Sequence, residues 1–71
     1  MLSDYIGFIK EVAIRYSLDF YYFLVYLEEK YAPVLRKMSG EGAKKFIEET
    51  GKKLAEIREK AIELRKKVEG T

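Results

Sequence analysis

Three observations on this 71-residue sequence predict an all-α fold, a small three- to four-helix bundle with a long C-terminal helix. Apolar residues recur at three- and four-residue steps through most of the chain, which marks buried helical faces. Only one run has the residue preferences of a strand, and a lone strand would leave its backbone polar groups unpaired. The clearest turn, Ser39-Gly40-Glu41-Gly42, separates an aromatic half from a charged half. The length allows one helical domain, residues 1–71.

The first helix is predicted near residues 4–16, with Ser3 or Asp4 as its cap. Tyr5, Phe8, Ile9, Val12, Ala13 and Tyr16 form its apolar face, while Lys10, Glu11 and Arg15 lie opposite. Ser17 and Asp19 interrupt the pattern and offer a second cap. The run Phe20 to Leu27 that follows is strand-like in preference but is assigned to a helix near 19–31. Apolar around its whole circumference, that helix must be central. Pro33 lacks a backbone N–H and disfavours helical geometry at Ala32, so a separate short turn of helix is expected at 33–38.

The last segment is the most regular. Ala43, Ile47, Thr50, Leu54, Ile57, Ala61, Leu64 and Val68 alternate in four- and three-residue steps, a heptad seam with Ile47, Leu54, Ala61 and Val68 at the a positions. The phase runs through Gly51 without a stutter and predicts one helix over 41–69, about 43 Å long at 1.5 Å per residue. Glu48–Lys52, Glu49–Lys53, Glu56–Lys60 and Glu63–Lys67 support it as Glu-first pairs four residues apart. The core is expected to centre on Phe8, Val12, Phe20, Phe23, Leu24, Leu27, Phe46, Ile47, Leu54 and Ile57.

Composition narrows the function. Cysteine and histidine are both absent, which excludes disulfides, histidine-based metal sites and histidine-activated nucleophiles. No catalytic residue, metal ligand, cofactor or small-molecule substrate is indicated. The carboxylates lie mainly at solvent-facing helical positions, where an ordinary pKa is expected. A domain this small usually needs a staple or a partner subunit, so aromatic packing or self-association must supply the stability. Asn, Gln and Trp are also missing while Lys and Glu are abundant, the profile of a hyperthermophile protein. The opening Met1-Leu2-Ser3-Asp4 lacks the features of a signal peptide, and the longest apolar run is far shorter than a membrane span. The expected location is cytoplasmic, without membrane association.

Net charge is +2 but unevenly placed: residues 1–35 carry −2 and residues 36–71 carry +4. The edges of the heptad seam are basic, with Arg58 and Arg65 at e and Lys53, Lys60 and Lys67 at g. Parallel or antiparallel, two copies of the seam set positive against positive. The seam is therefore expected either to pack on the chain's own first two helices or to meet an acidic partner. Self-association is expected instead through the aromatics of the first two helices, with Tyr21, Tyr22, Tyr26 and Tyr31 as the candidate surface.

Two stretches bear on nucleic acid. Glu11 to Phe23 resembles a DNA-binding helix-turn-helix, with Ala13 at the small position, Ser17 where glycine commonly turns, and Asp19 at the second cap; Leu18, Phe23 and Tyr26 match packing positions. The outward positions of its second helix are Phe20, Tyr21, Tyr22, Leu24, Val25 and Glu28, which include none of the side chains that read base edges. Leu35 to Lys45 resembles a helix-hairpin-helix, which binds DNA backbone through a glycine hairpin. That resemblance implies a phosphate seat at Gly40 and Gly42 with Lys44 and Lys45 beside it, and Lys52 and Lys53 extend the basic arm. Glu41 and Phe46 depart from the family pattern, which prefers an apolar and a small residue there.

Overall fold

The computed structural model describes residues 2–70, and the fold is all-α, with three helices packing against one another. A 3-10 turn, Leu2–Tyr5, leads into α1 (Ile6–Arg15), followed by α2 (Phe20–Lys37) and α3 (Gly40–Glu69). The 30 residues of α3 span about 45 Å at 1.5 Å per residue. The molecule measures 48 × 20 × 18 Å, so α3 sets its long axis.

The entry into α1 differs from expectation. Its N-cap is Tyr5, whose side chain makes no cap bond, in place of Ser3 or Asp4. Leu2 is instead buried at 4% exposure, and its turn packs across α2 beside Glu28, Ala32 and Arg36. Burying a leucine side chain stabilises by roughly 1.5–3 kcal/mol, more than a typical cap supplies.

α1 ends on Ser17, which adopts φ 57°, the left-handed region usually filled by glycine. The Leu18 N–H donates to the Ala13 carbonyl at 2.8 Å and the Ser17 N–H to the Ile14 carbonyl at 3.2 Å. This double closure turns the chain sharply toward α2. Asp19 then caps α2, its carboxylate accepting from the Tyr22 N–H at 3.2 Å.

Pro33 does not divide α2. The helix runs unbroken from Phe20 to Lys37, in place of a helix at 19–31 and a second one at 33–38. Proline removes one backbone donor, but Pro33 lies on the exposed side, where water can satisfy the carbonyl one turn earlier. Beyond it Leu35 docks into the core at 3% exposure, which holds the last turns in helical register.

Ile9, Val12, Ala13, Phe23, Leu27, Ala43 and Ile47 are fully buried and, with Leu2 and Leu35, form the core. Phe8, Phe20, Leu24, Phe46 and Leu54 pack around it half-buried. Ile57 is not a core residue; it is 59% exposed. The reason lies in how α3 meets the body. Its buried positions are Ala43, Ile47 and Gly51, a row stepping by four, as when the ridges of one helix cross another. A four-step row rotates away from the heptad seam, and by Glu56 the helix has left the body.

Candidate functional site

From Glu56 to Glu69 every residue of α3 is exposed. These 14 residues make an arm about 21 Å long at helical rise. Solvated helix faces are ordinarily charged, yet this one carries Ile57 at 59%, Ile62 at 40% and Leu64 at 63% exposure. With Leu54 at its root and Ala61 between, Ile57 and Leu64 continue the heptad seam into solvent. Arg58 and Arg65 line one edge and Lys53, Lys60 and Lys67 the other, all exposed. Arg65 pairs with Glu69 at 3.1 Å, but both are largely exposed, so water screens the pair.

At its root the seam opens into a groove between α2 and α3, lined by Tyr26, Tyr31, Thr50, Lys53, Leu54 and Ile57. Tyr31 stands edge-on to both Tyr26 and Phe46, with centroids 5.7 and 5.0 Å apart, an arrangement that aromatic quadrupoles favour. The Tyr26 hydroxyl is pushed above the ordinary tyrosine pKa, first by its interaction with the Tyr31 hydroxyl and then by partial burial. Lys30 lies over the Tyr26 ring, 5.9 Å from its centroid.

The tyrosines expected to share one surface are divided by the structure. Tyr21 and Tyr22 point outward at 74% and 64% exposure, whereas Tyr26 and Tyr31 are half-buried in the groove. The sequence pattern did not separate them, because the face of α2 that α3 covers depends on where the two helices cross.

At the start of α3, Gly40 and Gly42 are helical residues of the first turn. The Gly42 N–H donates to the Ser39 hydroxyl at 3.2 Å, and the Ala43 N–H to the Ser39 carbonyl at 2.8 Å. The donor at Gly42 is thus already engaged. Lys44 and Lys45 are exposed, but Glu41, Glu48 and Glu49 share their surface with Phe8. Lys45 and Lys52, seven apart, fall on one face, while Lys44 and Lys53 lie on others. Glu48 also pairs with Arg15 of α1.

Compared with protein-family models, curated proteins and solved structures, the chain matches none of them. Among the described residues no three His, Cys, Asp or Glu gather as metal ligands, and no helix is long and apolar enough to cross a membrane. No buried polar side-chain atom among them lacks a hydrogen-bond partner. What the described residues present is a projecting helix with an apolar stripe between two basic edges.

Proposed function

We propose that this chain is a non-catalytic interaction module, a small helical bundle that holds out the second half of its long C-terminal helix to a protein partner. The observation that carries the reading is the projecting, solvent-exposed arm with its ordered apolar seam. Ile57 and Leu64 contribute nothing to the core, and large apolar groups held in water at heptad spacing suit a surface that another helix covers. The lysine- and glutamate-rich composition supports an origin in a hyperthermophile. The experiment is affinity capture from source-cell lysate with the wild-type chain and an Ile57→Glu/Leu64→Glu variant. A protein retained by the first and lost by the second supports the reading. Identical capture by both refutes it. For self-association the exposed pair Tyr21 and Tyr22 is the better surface, because the seam edges repel their own copies. An oligomer mass by light scattering that Tyr22→Glu leaves unchanged refutes that interface.

A second reading is sequence-tolerant binding of DNA backbone by Gly40, Gly42, Lys44, Lys45, Lys52 and Lys53, favoured by the +4 charge of residues 36–71. It requires affinity that falls steeply with salt, since binding releases condensed counterions. An NMR titration with a short duplex tests it. Shifts at Gly40 to Lys45 that fade with salt, and vanish in Lys44→Glu/Lys45→Glu, support it. The carboxylates of Glu41, Glu48 and Glu49 between the lysines place this reading second.

A further inference from the structure

We propose that the seam Leu54–Ile57–Ala61–Leu64 docks an amphipathic helix of another protein whose apolar strip is bordered on both sides by aspartate or glutamate. The proposal rests on the interaction-module reading and names the chemistry of its partner.

The seam selects such a helix by shape and by charge. At about 100° per residue the four seam residues fall within an arc of roughly 80°, the width of a two-helix contact and too narrow for a broad surface. The groove where Tyr26 and Tyr31 meet Leu54 and Ile57 gives the seam a preformed aromatic end against which a docked helix would abut. The seam edges from 53 to 67 hold five cations and no anion. A helix lying in the seam brings its own flanking positions within a few ångströms of those cations. Acidic flanks gain attraction there, and basic flanks are excluded.

The same geometry weighs against the other occupants. A second copy lying parallel would set Lys53 against Arg58 and Lys60 against Arg65. An antiparallel copy sets lysines against lysines and arginines against arginines. An anionic lipid surface would attract the cations, but Glu56 and Glu63 stand directly beyond the lysine edge and would be pressed against the headgroups. The Arg65–Glu69 pair offers no barrier, because both side chains are mostly solvated and a partner carboxylate can replace Glu69.

The test uses a labelled synthetic peptide of three heptads with leucine at a and d and glutamate at e and g. A twin carries lysine at e and g, and a third peptide scrambles the acidic sequence. Fluorescence anisotropy with the 71-residue chain should show the acidic peptide binding at least about tenfold more tightly than either control. Leu64→Glu should weaken it by a similar factor while the far-UV circular dichroism and melting curve stay unchanged, since Leu64 lies outside the core. Raising salt to about 0.3 M should weaken it further by screening the edges.

Equal affinity for the acidic and lysine peptides, with Leu64 still required, overturns the charge selection and leaves the interaction module standing. Binding of the acidic peptide that ignores Leu64→Glu overturns the seam as the site. Light scattering that finds a wild-type dimer dissociated by Leu64→Glu overturns the proposal in favour of a second copy. Leu64-dependent binding to phosphatidylglycerol vesicles overturns it in favour of a membrane surface. If the lysate capture described above is also blind to the seam, the module reading falls with it.

Discussion

Gly51 sits where a glycine would ordinarily be a weakness, in the middle of a long helix, and replacing it with alanine should reverse the usual sign. On an open helix face Gly→Ala stabilises by about 1 kcal/mol through backbone entropy. At Gly51 the new methyl would lie 2.5 Å from Val12 Cγ1, 3.4 Å from Phe23 Cζ and 3.5 Å from Tyr16 Cδ2. Carbon atoms in good contact are about 3.5–4.0 Å apart, so the Val12 contact is short by at least about 1 Å. Val12 cannot swing aside easily, because it is fully buried and β-branched, with few rotamers open to it in a helix. Either Val12 leaves its rotamer or α3 backs away from α1, and overpacking of this kind costs about 1–3 kcal/mol. Against the helical gain of about 1 kcal/mol, a net loss of roughly 1 kcal/mol remains. For a domain of this size that lowers Tm by about 4–8 °C. Gly7→Ala is the matched control, since nothing stands within 4 Å of a methyl there and Gly7 is exposed. It should raise Tm. Thermal melts followed by near-UV circular dichroism, which reports the packed tyrosines rather than the arm, decide the matter. If Gly51→Ala raises Tm as much as Gly7→Ala does, the close approach of α3 to α1 is wrong.

Other perturbations test separate features. Ser17→Gly should raise stability by up to about 1 kcal/mol in urea denaturation, because glycine adopts the left-handed backbone of Ser17 without steric cost; a loss would contradict that geometry. Pro33→Ala should raise it by about 1–3 kcal/mol, restoring a hydrogen-bond donor within the unbroken α2, and a fall would mean that the helix depends on proline there. Ile57→Ala and Leu64→Ala should each change stability by less than about 0.5 kcal/mol, whereas Ile47→Ala should cost about 2–5 kcal/mol. The raised pKa of Tyr26 carries a definite sign. The unfolded chain loses that proton more readily, so the contribution is fully present below about pH 10 and is lost as pH rises through the folded value. In an ultraviolet titration Tyr26→Phe should remove a step above the ordinary tyrosine range, and an unchanged curve would contradict the Tyr26–Tyr31 interaction.

Local chemistry made much of the fold legible in the sequence. The apolar steps of three and four residues named α1 and α3, the want of a second strand made Phe20 to Leu27 a helix, Asp19 announced its cap, and the unbroken phase through Gly51 foretold a single long helix over nearly its observed span. The heptad seam and its basic edges were equally visible, because spacing along a helix fixes which side chains share a face. Tertiary structure decided the rest. Whether Pro33 ends a helix depends on Leu35 finding a place in the core beyond it, and whether Leu2 matters depends on α2 passing beneath it. Gly51 became a contact because α3 meets the body along a row stepping by four, and that crossing also carried Ile57 away from the core. The exposed arm follows from lengths in three dimensions. α1 and α2, at 10 and 18 residues, are too short to cover a helix of 30. A sequence specifies which residues of a helix would be buried if something packed there; only the arrangement of the other helices determines where that packing ends.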